Sequence, residues 1–249
     1  VLTVPSEMIR NLEFPEKLMD HWNEVLDACA DLAGIPHTRP RAQRILADVQ
    51  PSAGWMHSGY PIVTNMRASA QMASYPDMVA QGDWGYYHEL GHNHQKPEWT
   101  FEGTGEVTCN LFGLYAFDTI HKGRAQHRFA DMTKWYEEAR QHIAAGAPYD
   151  VWKSKPFLAL TMYEQMKREF GWEPFKAIFA EYQKMPAAEK PKTDQERRDQ
   201  WMVRFSRKVG RNLGPFFEAW GVPTTPAARQ SISDLPEWMP ESIQAVVSR

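Results

Sequence analysis

Trp84-Gly85-Tyr86-Tyr87-His88-Glu89-Leu90-Gly91-His92-Asn93-His94 is the stretch from which the rest of the chain is read. It holds an H-E-x-x-H pattern. Histidines four residues apart stand one above the other on a helix, because a turn takes 3.6 residues. His88 and His92 can therefore offer imidazole nitrogens to one Zn²⁺, at about 2.0–2.1 Å each. Glu89 lies roughly 100° further round the helix, beside such an ion and not beneath it. A carboxylate there can take a proton from a water at the metal. The spacing thus predicts a helix over about 84–94, stopped by Pro97.

The whole-chain numbers narrow the partners. At 249 residues the chain suits one large domain or two closely packed lobes. A net charge of −3 gives no signal for a polyanion, so nucleic acid is not expected as a partner. No run of 18 apolar residues is present, and no transmembrane segment is expected. The opening Val1-Leu2-Thr3-Val4-Pro5-Ser6 lacks a basic leader and reads as mid-strand, as in the excised catalytic core of a longer protein. Two cysteines, Cys29 and Cys109, exclude a disulfide-rich scaffold and read as small buried thiols in helices; whether they pair stays open.

Residues 1–5 read as a strand and 14–33 as an amphipathic helix with Leu18, Trp22, Val25, Leu26, Cys29 and Leu32 on one stripe, ended by Gly34-Ile35-Pro36. Arg44–Val49 and Tyr60–Met66 read as strands, with Pro51-Ser52-Ala53-Gly54 as the turn between them. After Gly103-Thr104-Gly105 a helix runs to about Ile120, with Thr104 as N-cap. Further helices follow over about 124–145, 155–170, 173–185, 194–210 and 214–220. The expectation is an α+β, mainly helical fold. A small sheet-bearing N-terminal lobe with the zinc helix (1–122) precedes a helical C-terminal lobe (123–249).

Three carboxylates compete to be a third ligand. Glu98 follows His92 by six residues and leaves little chain to turn back. Glu102 precedes Gly103-Thr104-Gly105 and is expected in a mobile loop. Glu106 stands in the first turn of the next helix, on a rigid element whose N-terminal dipole favours a carboxylate. Asn110, four residues on, shares its face and can reach a ligand histidine. His94 is turned about 200° from His92 and is read as a hydrogen-bonded structural histidine. One Zn²⁺ held by three protein ligands keeps a fourth position open, the mark of a catalytic site. Tyr60, Tyr86 and Tyr87 are candidates to stabilise an oxyanion. The nine Lys/Arg against four Asp/Glu over Lys184–Arg211 are read as a solvated helix face.

Beyond H-E-L-G-H-N-H-Q, the segment W-T-F-E-G-T-G-E-V-T-x-N-L-F (99–112) resembles the M60-like, enhancin-related zinc metallopeptidases. A-D-V-Q-P-S-A-G-W-M-H-S-G-Y-P-I (47–62) and N-L-G-P-F-F-E-A-W-G-V-P (212–223) extend the resemblance over most of the chain. It implies a gluzincin-like catalytic domain with the zinc helix at the junction of its lobes. Within it the glutamate of E-V-T-x-N, Glu106, is the third ligand. It also implies an endopeptidase acting on mucin-type O-glycoproteins next to a glycosylated Ser or Thr. Accessory carbohydrate-binding modules in the full-length protein and a secreted, cell-surface or periplasmic location go with that activity. His57 and Tyr60, with Trp84, Tyr86 and Tyr87, are the substrate-side residues it points to. Two rivals stand beside it: a zinc endopeptidase indifferent to glycans, and a glycan-binding module of the same fold without catalysis.

Overall fold

The computed structural model describes residues 1–10, 12–122 and 127–243. It is mainly helical with a small mixed sheet. Its compact units are not two successive stretches of chain. Val1–Gln95 with Cys109–Ala130 form one, and Lys96–Thr108 with Asp131–Arg249 the other.

The first unit holds β1 (Leu2–Thr3), α1 (Ser6–Arg10), α2 (Pro15–Ala33), β2 (Ile45–Asp48), β3 (Met56–His57), β4 (Ile62–Asn65), α3 (Ser69–Met72), α4 (Tyr75–Gln81) and α5 (Trp84–His94). It also takes most of α6 (Gly105–Ala116), which continues as a π-helical turn over Phe117–His121. The apolar stripe of α2 is buried as its spacing predicts. Gly34 ends that helix in the left-handed conformation (φ 66°), its N–H returning to the carbonyls of Ala30 and Asp31. The sheet order is β1-β2-β4-β3. The strands read on either side of Pro51–Gly54 are not joined by a tight turn: β2 and β4 run parallel, with Ile45 opposite Ile62. A tight turn joins only antiparallel neighbours, so the chain instead crosses over, and on the way Met56–His57 adds antiparallel to the far side of β4. Two residues carry too little periodicity to announce a strand. Helices α3 and α4 were likewise not expected; they are short and flanked by polar turns.

The other unit is helical: α7 (Met132–Ala144), α8 (Tyr149–Ser154), α9 (Pro156–Phe170), α10 (Glu173–Lys184), α11 (Asp194–Val209), α12 (Gly214–Ala219) and α13 (Pro226–Gln230). Of the helix expected over 124–145, residues 124–126 lie outside the described ones, and the helix found starts at Met132. Thr193 and Glu196 form a capping box at the start of α11. Trp99, Phe179 and Trp201 are buried in the core of this unit, Trp99 stacked on Phe179 at 4.5 Å between centroids. Cys29 and Cys109 are both buried and in no disulfide, and burial pushes the Cys29 thiol up to about 12. Among the described residues no helix is long and apolar enough to cross a membrane.

Beneath α5 lies a buried polar chain. His121 Nδ1 faces the Val79 carbonyl at 3.2 Å, so this nitrogen carries the proton and Nε2 accepts from the Tyr87 hydroxyl at 2.9 Å. The Tyr87 oxygen in turn lies 3.3 Å from His21 Nε2, which donates to it. Burial, followed by the nearby His121, pushes the His21 imidazole down to about 4 from 6.5. An unfolded chain takes up this proton near 6.5, whereas the folded one refuses it until about 4. The stabilisation from a neutral His21 is therefore intact above 6.5 and lost as pH falls from there to about 4. At roughly 1.4 kcal/mol per decade the loss is about 3 kcal/mol. Melting temperatures taken across this window should fall more steeply for the native chain than for His21→Gln, which can still donate to Tyr87. Parallel curves would remove His21 as the cause.

Candidate metal centre

Helix α5 starts at Asp83, whose carboxylate accepts the Tyr86 N–H at 3.1 Å. Burial raises the Asp83 carboxyl, and the amides of Tyr86 and Gly85 work against that rise. The helix ends at Gln95, whose N–H reaches the Gly91 carbonyl at 2.9 Å. One face is built for a second helix. A Cβ added at Gly91 would stand 2.1 Å from the Cys109 carbonyl oxygen, and one at Gly113 would stand 3.6 Å from Tyr87 Cβ. Four residues back along α5 match four forward along α6, so the two helices are antiparallel, with His88 between the two contacts.

His88 and His92 turn their Nε2 atoms toward each other, 3.0 Å apart, with rings perpendicular at 89°. Two nitrogens on one tetrahedral Zn²⁺ stand about 3.3 Å apart, so the spacing suits a shared ion. The far nitrogens are held by side-chain oxygens: His88 Nδ1 by Asn110 Oδ1 at 2.7 Å, and His92 Nδ1 by Gln95 Oε1 at 2.8 Å. Each oxygen accepts an N–H, which fixes the proton on Nδ1 and leaves the Nε2 lone pair for a metal. Glu106 and Cys109 complete a group in which one ligand atom from each of the four residues lies within 4.8 Å of the others.

Cys109 was not anticipated as part of this group. Its Sγ lies 3.5 Å from His88 Nδ1 but 4.0 Å from Nε2. A sulfur bound to an ion on the Nε2 lone pair would be nearer Nε2. The thiol therefore flanks the ring, and two imidazoles with one carboxylate remain as the donor set that fits zinc. Its spacing of three residues from Glu106 was the available signal, as was the i, i+3 spacing of Gln95 from His92. Glu89 is 8% exposed and sits within the buried part of α5.

The rival carboxylates are committed elsewhere. Glu98 meets Lys190 at 2.6 Å; burial alone would raise its carboxyl, but the ammonium holds it below its ordinary value. Glu102 pairs with Lys153 at 2.8 Å, its carbonyl accepts from Tyr149, and its N–H reaches Asp194, so the mobile loop expected there is instead anchored. Thr104 begins α6 through its carbonyl, while its hydroxyl donates back to Phe101 at 2.7 Å. His94 Nδ1 bonds the Leu90 carbonyl at 2.7 Å.

The substrate-side candidates divide. Tyr86 and Tyr87 are 0% exposed, which corrects the expectation that they meet substrate or an oxyanion. The Tyr86 hydroxyl donates to the Ala68 carbonyl at 3.1 Å, and that of Tyr87 joins the histidine chain described above. Trp84 is half-buried and stacked on His127 and Phe117. Tyr60 is 46% exposed under the Arg41 guanidinium, 3.5 Å from the ring centroid. His57 is held between the Ser52 hydroxyl and the Ser58 carbonyl, both at 3.0 Å. Asn93, next to His92, clamps the same loop by accepting the Gly59 N–H at 2.8 Å and donating to its carbonyl at 3.0 Å.

The family model for peptidase M60, enhancin and enhancin-like, matches residues 1–221. TRPM8 channel-associated factor 2 of Bos taurus is 42% identical over 241 residues, 96% of this chain. The chain spans only about a quarter, 26%, of that relative's length. A Bacillus anthracis protein of unknown function shares the fold with a TM-score of 0.82 at 23% identity, over 96% of this chain and 50% of its own. IMPa of Pseudomonas aeruginosa, solved in complex with an O-glycopeptide, aligns with a TM-score of 0.61 at 17% identity, over 93% of this chain and 32% of its own.

The close crossing of α5 and α6 can be tested directly. Gly91→Ala should cost about 1–3 kcal/mol by overpacking, read as a melting temperature lower by roughly 2–10 °C. Gly105→Ala is the control, since nothing lies within 4 Å of its Cβ position. A Gly91→Ala protein as stable as this control would show that the helices can separate freely.

Proposed function

The chain belongs to the peptidase M60 family, enhancin and enhancin-like, and from that premise we propose that it is a zinc-dependent endopeptidase. Its substrates in this reading are mucin-type O-glycoproteins, cut beside a glycosylated Ser or Thr. The observation that carries the proposal is the pair of convergent Nε2 atoms, 3.0 Å apart, each backed by a side-chain oxygen. In this reading His88, His92 and Glu106 hold one Zn²⁺ per chain, with Asn110 and Gln95 orienting the imidazoles. Zinc bound there supplies Lewis acidity toward the scissile carbonyl and acidifies a water. Glu89 takes the proton of the attacking water and passes it to the leaving amine.

Two further features support a peptide substrate. β3 is an edge strand of the sheet, and an extended chain can add to such an edge through its backbone. The loop after β3, which carries the exposed Tyr60, is clamped to α5 by Asn93. A flat ring with a polar handle suits the face of a sugar. A fold neighbour that binds an O-glycopeptide supports the same class. A secreted or surface location, with accessory carbohydrate-binding modules elsewhere in the protein, follows from such a substrate.

A second reading is favoured by relatives of about 40% identity that are named channel-associated factors. It is a docking module for a membrane channel, and it makes no demand on Glu89.

Glu89→Gln should lower peptide cleavage about 10²–10⁴-fold while leaving zinc content at one per chain by elemental analysis. A near-native rate in this variant would remove Glu89 as the base, and an inactive native chain would favour the docking module. For the substrate class, kcat/KM is compared on one peptide with and without a GalNAc on a single Thr. The sugar should raise kcat/KM by at least about tenfold, because remote contacts help to place the carbonyl. Equal values would leave a glycan-independent endopeptidase.

A further inference from the structure

Glu106 occupies the second position of α6, and helix ends are where fraying begins. What precedes it is a four-residue turn, Phe101–Thr104, closed by Thr104 N–H to the Phe101 carbonyl at 2.9 Å. Gly103 sits at the third position with φ +89°, which a side chain rarely adopts. It also presses on α8: an added Cβ would stand 2.3 Å from Lys153 Cβ and 2.6 Å from Lys153 Cα. On the same face of α8, one turn earlier, the Tyr149 hydroxyl donates to the Glu102 carbonyl at 2.8 Å. Arg198, only 8% exposed, points Nη1 at the Tyr149 oxygen from 3.4 Å and lies over its ring at 5.4 Å. That contact occupies a lone pair of the hydroxyl and so directs its proton to Glu102. The Arg198 side chain is itself fixed by the Pro223 carbonyl at 2.8 Å and Gln195 Oε1 at 3.0 Å.

We infer that Tyr149 is a positioning residue for Glu106, acting through the Phe101–Thr104 turn; this rests on the reading of Glu106 as a metal ligand. The turn delivers the Thr104 carbonyl to the N–H groups of Val107 (3.0 Å) and Thr108 (2.9 Å), the bonds that open α6 around Glu106. With Glu102 pinned by its carbonyl and Gly103 wedged on Lys153, this first turn cannot unwind without breaking two independent contacts. The ion pair between Glu102 and Lys153 is a lesser partner. Its carboxylate is 52% exposed, and exposed pairs contribute little. The backbone carbonyl, not the acid, is what Tyr149 holds.

The test uses the whole chain and Tyr149→Phe, which keeps the ring stacked on Trp152 at 5.7 Å and removes only the hydroxyl. Zinc affinity is measured by competition with a chromophoric chelator, and amide exchange of Val107 and Thr108 is followed with and without zinc. The expected result is affinity about 10–100-fold weaker, as for other residues that orient ligands, and faster exchange at both amides. Glu102→Gln should leave both readouts unchanged. In a Glu106→Gln background, Tyr149→Phe should cost no further affinity, because it acts through the carboxylate already lost. Native affinity in Tyr149→Phe, or an equal loss with and without the Glu106 carboxylate, overturns the inference. A native chain that takes up no zinc is a failure of the metal reading. The brace on α6 then stands or falls on whether Tyr149→Phe speeds exchange at Val107 and Thr108.

Discussion

Two helices can bring side chains to one point only if their backbones come close enough for short groups to meet. Here that approach is set by Gly91, whose missing Cβ leaves room for the Cys109 carbonyl 2.1 Å from where the carbon would stand. Glycine inside a helix costs about 1 kcal/mol relative to alanine, so its presence mid-helix needs an offsetting gain. The gain is register. With 91 against 109 and 87 against 113, His88 is carried to Asn110, and a 2.7 Å hydrogen bond fixes its ring. A residue with a side chain at 91 would separate the helices and lengthen that bond beyond use.

Helix α5 is held as firmly by a second set of contacts. Tyr86, Tyr87 and Leu90 are 0% exposed, and Trp22 of α2 meets both tyrosine rings edge-on at 5.7 and 6.4 Å. Phenols buried this way must find partners for their hydroxyls. They do so in Ala68 and in the chain from Val79 through His121 and Tyr87 to His21. The helix thus has its inner face locked against rotation by polar contacts with specific geometry. Rotation of α5 by even a fraction of a turn would break these bonds and carry His88 away from Asn110.

Most long elements could be read from periodicity. The helix of the H-E-x-x-H pattern spans Trp84–His94 as expected, and α2, α9, α10, α11 and α12 lie within a residue or two of their expected bounds. What periodicity could not give was β3 and the pairing of the strands. β3 has two residues, too few to display alternation, and the parallel β2–β4 pairing depends on a crossover that local pattern does not encode. The aromatic residues before His88 misled for a related reason. Tyr86 and Tyr87 carry the same hydroxyl whether it faces substrate or core, and only the depth of α5 in the unit decides between them. Cys109 and Gln95 were reachable from spacing alone, at i+3 from Glu106 and from His92.

The two histidine supports differ in what they demand of the fold. Gln95 follows His92 by three residues as the cap of the same helix, so the orientation of His92 is written locally. The orientation of His88 requires α6 and hence the crossing at Gly91. One imidazole is thus aimed by sequence-local geometry, the other by tertiary packing, and their convergence at 3.0 Å measures how well the second matches the first. Fold similarity at 16–23% identity establishes a shared backbone. A shared chemistry demands more: these particular side chains, in this register, on helices that touch where a glycine lets them.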